Sequence, residues 1–280
     1  MEHYMTNEKI DHYLKALENE ERAAATIEKY RRALLNFAAF LSGAAVTPET
    51  IRLWKDELHE RNYAPSTINT FLAALNGFFL FCGWSDCRAR FLKIQHRLFR
   101  DSRQELTRAE YVRLVAAAEA AGDRSLALLM ETICSTGIRV SEVQYITVEA
   151  VKNGKAEIAL KGKIRTILLP SKLCRKLLKF AARQKTASGA IFRAKSGNAM
   201  SRYQIWSKMK KLCERAGVDA EKVFPHNLRH LFATAFYRAY KDIVKLADVL
   251  GHSSIETTRI YLVTSAAEHR RQLELLQLVS

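Results

Sequence analysis

Apolar residues recur three and four positions apart through the first hundred residues, a period that only helices present to a core. Ile10, Tyr13, Leu14 and Leu17 share one face. Ile27, Tyr30, Leu34, Phe37 and Leu41 mark a helix from about Ala24 to Ser42, which Gly43 stops. Thr47-Pro48-Glu49 supplies an N-cap, a proline at the first helical position and a first-turn acid. The helix it opens buries Ile51, Trp54 and Leu58, and a fourth follows Pro65 with Ile68, Phe71, Leu72, Leu75 and Phe79, ending near Gly83. Four helices of this length predict a compact bundle over residues 1–96.

A polar stretch at 97–106, carrying Arg97, Arg100 and Arg103, reads as a linker. Thr107-Arg-Ala-Glu110 is a capping box that opens a second domain, 107–280. Helices are expected up to Gly122 and from Arg124 to Thr136, the latter ended by Gly137. The period then changes. Asn153-Gly154 signals a hairpin, and strands are expected at Ala156–Leu160 and Thr166–Leu169, with a weak one at 190–192. The remainder reads as helices at 171–185, 202–216, 226–240, 242–250 and, as a tail, 266–279. The fold class is mainly α, with one small antiparallel sheet in the second domain.

With 280 residues, 48% hydrophobic and 26% charged, the chain is long enough to bury cores without disulfides, and disorder is excluded for most of it. Eleven glycines and four prolines exclude collagen-like classes. No apolar run is long enough to span a membrane, and the N-terminus lacks a secretory pattern, so a cytoplasmic protein is expected. The five cysteines, with no CxxC pair, read as reduced thiols.

Charge gives the first functional indication. The net +16 is concentrated: residues 1–100 carry 14 basic and 12 acidic residues, whereas 152–215 carry 18 basic residues and only Glu157 and Glu214 as acids. Such a block points to a polyanionic partner, with nucleic acid ahead of an acidic membrane. Phosphate loops, GxGxxG turns, HExxH and paired carboxylates are missing from the sequence. Chemistry on nucleic acid is therefore expected without a metal or other cofactor.

The groups that remain are cations and imidazoles near helix ends. Thr136-Gly-Ile-Arg139-Val-Ser-Glu142 places an arginine just after a helix-ending glycine. His226-Asn-Leu-Arg229-His230 puts an imidazole and a guanidinium three apart at a helix start, and Leu250-Gly-His252 is followed nine positions later by Tyr261. Singly, each has an ordinary explanation as a surface ion pair, a cap or a core aromatic.

In this order they resemble the tyrosine recombinase (phage integrase) family, and the likeness is to its two-domain, Xer-like members. The first box resembles that family's first arginine box, the second its histidine–arginine box, and Leu-Gly-His252-Ser-Ser-Ile-Glu-Thr-Thr-Arg-Ile-Tyr261 its nucleophile box. The resemblance implies a core-DNA-binding domain at 1–96 and a catalytic domain at 107–280. It implies cleavage and rejoining of DNA strands through a 3′-phosphotyrosyl link, with Tyr261 as nucleophile. Arg139 and Arg229 would clamp the phosphate oxygens bidentately, and His226 would act as base on a phenol whose free pKa is about 10. His252 would hydrogen-bond the phosphate, and Glu142 would support the site. Lys161 is the expected acid toward the 5′-oxygen. Its hairpin, Leu160-Lys161-Gly162-Lys163-Ile-Arg165, lacks the first glycine of the family pattern, so Lys163 competes for that role. Lys163, Arg165, Arg202 and Lys208 are expected to contact DNA. The implied partners are double-stranded DNA with specific sites and further copies of the chain, a dimer per site and a tetramer in the synapse. No arm-binding domain of the lambda-integrase kind is expected, and the expectation is an Xer-like or mobile-element enzyme. The competing readings are relaxation of the type IB topoisomerase kind and a catalytically inactive DNA-binding relative.

Overall fold

In the computed structural model the chain divides into two units, Met1–His96 and Arg97–Ser280. The structure describes residues 2–94, 104–160, 163–194, 196–261, 270–271 and 273–276. Lys161, most of the polar stretch at 97–106 and most of the tail at 266–279 lie outside them.

The N-terminal unit is built from α1 (Asn7–Asn19), α2 (Ala24–Leu41), α3 (Pro48–Glu60) and α4 (Pro65–Phe81). Each helix begins where the local chemistry allows. Thr6 caps α1, Thr47 and Thr50 form a reciprocal capping box on α3, and prolines occupy the first turns of α3 and α4. Trp54 sits at the centre, fully buried, its ring 4.8 Å from that of Phe37 and its indole N–H donating to Asn36 Oδ1 at 3.1 Å.

The second unit contains α5 (Arg108–Ala120), α6 (Arg124–Thr136), α7 (Val148–Lys152), β1 (Lys155–Leu160), β2 (Lys163–Leu168), α8 (Ser171–Arg183), α9 (Arg202–Lys210), α10 (Cys213–Ala216), α11 (Pro225–Tyr240), α12 (Ile243–Leu250) and α13 (Ile255–Arg259). Its core centres on α6, where Leu129, Met130 and Ile133 are fully buried. Among the described residues no helix is long and apolar enough to cross a membrane.

Four expectations need correction. Asn153-Gly154 does not turn a hairpin. Thr147 caps a short helix by accepting from the Ala150 amide at 3.1 Å, and Gly154 (φ +67°) then leads from α7 into β1. The pairing runs from Lys155↔Leu168 to Leu160↔Lys163, so β2 begins at Lys163, three residues before the expected Thr166. The stretch at 190–192 makes only an isolated bridge, Thr147↔Ala190. The helix expected at 202–216 is two: after Lys210 the Leu212 amide bonds to the Met209 carbonyl, three residues back, and the second piece ends at Ala216, where Gly217 takes φ +59° and the Val218 amide bonds back to Cys213.

The end of α6 prepares the site. Gly137 adopts φ +65°, and a β-carbon there would lie 2.6 Å from the Phe232 ring of α11 and 2.9 Å from Leu250 of α12. The chain can therefore turn from α6 toward Arg139 only without a side chain at this point. Gly137→Ala is expected to cost at least about 1 kcal/mol from backbone strain and to lower the melting temperature by roughly 2–4 °C or more. A melting curve followed by circular dichroism checks this, and an unchanged midpoint would contradict the tight approach.

Candidate active site

Four short segments meet around one arginine. Arg229, on the third residue after His226 in α11, is 2% exposed. Its guanidinium donates to the carbonyl of Gly137 at the end of α6, to that of Leu250 at the end of α12 (2.8 Å), and to His252 Nε2 (2.9 Å). Carbonyls at helix C-termini carry partial negative charge, which is what a buried cation needs. Burial, and next the charge of Arg139, hold the Arg229 pKa below the ordinary arginine value.

Arg139 follows the glycine turn. Its amide and guanidinium both donate to Glu142, at 2.9 and 2.8 Å, and it also reaches the Gly251 carbonyl at 3.2 Å. The Glu142 side chain is almost fully buried and carries a second cation, Arg165, at 3.2 Å. Arg165 lies inside this cluster and also donates to the Leu250 carbonyl. Along β2 it shares the inward parity of buried Ile167, while Ile164 and Leu168 face out. Burial, partly offset by Glu142, pushes its pKa down to about 10. A β-carbon on Gly251 would lie 2.5 Å from the Arg165 side chain, so the loop after α12 needs glycine for space as well as for its φ of +63°.

His252 follows that glycine. Arg229 can only donate, so Nε2 accepts, and the ring proton sits on Nδ1, 2.9 Å from Thr258 Oγ1. Desolvation, then Arg229, Arg139 and Arg165, push its pKa down to about 4.

Tyr261 is 4% exposed and packs in a small apolar cluster with Ala233, Leu246 and Leu250. Three imidazoles surround its ring: His252 stacked at 5.9 Å, His230 at 4.9 Å and His226 at 6.2 Å between centroids. His226 is exposed and, with Arg139 and Arg229, lines a cavity of about 760 Å³ that also includes Arg202, Tyr203 and Trp206.

Of the residues singled out in the sequence, Arg139, Glu142, His226, Arg229, His252 and Tyr261 are thus brought together. Arg202 joins them at the cavity, and Arg165 joins them as a buried partner of Glu142. Lys208 pairs with Asp123 at 2.7 Å. Lys161 lies outside the described residues; Lys163 opens β2. His230, which closes the second box without an expected role, also belongs to the site, as do Tyr203 and Trp206, for which the alternation Arg-Tyr-Gln-Ile-Trp inside a basic stretch is the signal in the sequence. Among the described residues, His3, Asp86 and Cys87 of the N-terminal unit group three potential metal ligands. There, His3 is already hydrogen-bonded to Asp86 at 2.9 Å, and the thiol lies 3.6 Å from the Val46 carbonyl.

Because the folded His252 resists protonation down to about pH 4 while an ordinary imidazole gains its proton near 6.5, its neutral form favours the fold above pH 6.5. That contribution is lost as the pH falls from 6.5 toward 4. Nitrogen-15 NMR should find a neutral Nδ1–H ring at pH 6, and Arg229→Ala should move its titration upward. A ring that titrates near 6.5 in the unaltered protein would contradict this geometry.

Comparison with known proteins gives the family of the chain. The model described as the phage integrase family matches residues 104–268, and that of the phage integrase N-terminal SAM-like domain matches 10–85. Tyrosine recombinase XerA of Pyrococcus furiosus is 28% identical over 96% of this chain and 94% of its own. Tyrosine recombinase XerD of Xanthomonas campestris pv. campestris is 30% identical over 90% and 85%. Among solved structures, a lambda integrase dimer bound to a COC′ core site superposes with a TM-score of 0.74 at 18% identity, covering 92% of this chain and 77% of that one. The crystal structure of XerA recombinase gives 0.54 at 21% identity over 99% and 100%. At these identities the structures speak for the fold.

Proposed function

Because the chain belongs to the phage integrase family and is a tyrosine-type site-specific recombinase, we propose that the cluster around Arg229 is where it breaks and rejoins DNA, with Tyr261 as the nucleophile. The observation that carries this reading is the meeting of Arg139, Arg229 and His226 at one cavity, with the Tyr261 ring against His226, His230 and His252.

The charges suit the chemistry. Arg139, Arg165 and Arg229 stand with a single carboxylate, Glu142, and His252 is neutral, so the cluster carries a net excess of two positive charges. A phosphodiester is a monoanion, and its pentacoordinate transition state is a dianion. A fixed double positive charge favours the latter, which is how positioning and electrostatics accelerate phosphoryl transfer. Arg139 and Arg229 hold the non-bridging oxygens. Tyr261 attacks phosphorus as His226 takes its proton. The bond to the 5′-oxygen breaks, and Lys161 returns a proton there. Glu142 fixes the two arginines it touches, and His252 donates or accepts no net charge while it bridges Arg229 and Thr258. The phosphotyrosyl ester keeps the energy of the broken bond, so rejoining needs neither ATP nor a metal.

The substrate is double-stranded DNA with specific sites, met in the cytoplasm, and the working form is a dimer on each site and a tetramer in the synapse. Leu273, Leu275 and Leu276, each more than half exposed, support a tail that finds its apolar partner on a neighbouring copy. Domain borders at 96 and 107 and DNA contacts by Lys163, Arg202 and Lys208 belong to the same reading. Relaxation alone, or binding without catalysis, is not favoured by relatives that are recombinases.

Tyr261→Phe is expected to abolish covalent adducts on a nicked suicide substrate in excess chelator while leaving DNA affinity within about threefold, since only one hydroxyl is removed. A persisting adduct on a denaturing gel would defeat the assignment. Lys161→Ala should cleave ordinary DNA slowly and recover on a 5′-bridging phosphorothiolate, whose sulfur leaves without a proton. Lys163→Ala should show a smaller defect and little recovery. The opposite pattern would transfer the acid role to Lys163.

A further inference from the structure

The cavity is larger than a phosphate requires. Arg139 and Arg229 supply one corner of its roughly 760 Å³, but another wall is aromatic, formed by Tyr203, Trp206 and Phe224. Helix α9 is anchored through Ile205 and Met209, both fully buried, and this leaves Tyr203 and Trp206, one turn apart, directed outward. They are 73% and 40% exposed, with ring centroids 5.9 Å apart. Lys210 lies 5.7 Å over the Trp206 ring, and Arg202 borders the same cavity.

Among the described residues neither ring belongs to a buried core cluster, and their exposed faces forfeit apolar area to water. Two aromatic faces between cations match a polyanion whose repeating unit carries a flat apolar group. That is a nucleoside beside its phosphate. An apolar protein surface would match the rings but leave Arg202 and the arginine corner without a counter-charge.

Resting on the strand-transfer reading above, we infer that Tyr203 and Trp206 form a nucleoside subsite. When phosphorus lies between Arg139 and Arg229, the sugar and base of a flanking nucleotide cover the two rings, and Arg202 meets the next phosphate. The rings thereby fix which bond is presented to Tyr261 and contribute to the preference for bases beside the cut.

Tryptophan emission tests this directly. Trp54 and Trp84 are buried in the N-terminal unit, at 0% and 7% exposed, so Trp206 is the indole open to a quencher. The full-length chain is titrated with a short random-sequence duplex, with heparin and with inorganic phosphate, while anisotropy follows binding. The duplex is expected to quench emission, and heparin and phosphate, which have no bases, are not. Trp206→Phe, which keeps an aromatic face, should abolish the quench and lose less duplex affinity than Trp206→Ala. Trp206→Ala and Tyr203→Ala should weaken duplex binding roughly fivefold to a hundredfold, at an unchanged melting temperature. Should Trp206→Ala fail to fold, the phenylalanine variant and Tyr203→Ala carry the test. A bound duplex without quenching, equal quenching by heparin, or emission that changes with protein concentration alone would overturn the inference. The last result would show the rings covered by a second copy. The adduct assay run in parallel separates the two readings: adducts with a silent Trp206 defeat the subsite alone, whereas no adduct and no binding defeat the strand-transfer reading.

Discussion

The Arg229 guanidinium holds the site together. It is buried, and a buried cation is costly unless its protons find acceptors. Here the acceptors are the carbonyls that α6 and α12 leave unpaired at their C-termini, together with an imidazole nitrogen. One group therefore relieves three helix-end and ring demands at once. Removing it would take this donor from the Gly137 carbonyl and leave the Leu250 carbonyl to Arg165 alone. The left-handed glycines at both helix ends, Gly137 and Gly251, follow from the same arrangement, because each brings a carbonyl within reach of an arginine.

The basic character of the second unit looks different once the fold is known. Part of the block at 152–215 is neutralised from within, by acids supplied from outside it. Lys208 is met by Asp123, Lys176 by Glu131 and Arg165 by Glu142. The formal charge therefore overstates what is free to meet phosphate, and salt dependence should follow the unpaired cations rather than the count in the chain. Within the site the balance is deliberate in sign: one carboxylate for three guanidiniums keeps the cluster assembled while leaving it cationic.

Much of this was legible in the chain. The helices of the first unit follow from a regular apolar period, from the cap at Thr47 and from first-turn prolines at Pro48 and Pro65. The boxes around Arg139, Arg229 and Tyr261 stand out because three segments far apart in sequence carry cations and imidazoles at helix ends. The errors have local causes. Asn153-Gly154 suits either a hairpin or the exit from a helix, and Thr147 decides for the helix by capping it. In Lys163–Leu168 the apolar residues Ile164, Ile167 and Leu168 fall on both parities, so the strand pattern does not say which face is inward. Burial of Ile167 settles it, and Arg165 goes inward with it. In the sequence alone Tyr203 and Trp206 are not distinguished from core aromatics; in the fold Ile205 and Met209 occupy the core instead.

The arginines at the centre rest largely on main-chain oxygens, those of Gly137, Leu250 and Gly251. Main-chain atoms are common to every residue type, so no substitution can delete them. Drift in the surrounding sequence can therefore proceed far without dismantling the cradle, provided the two glycines persist and the helices stop where they do. What is inherited at this spot is a shape of the backbone, and the few side chains it holds are where change would be felt.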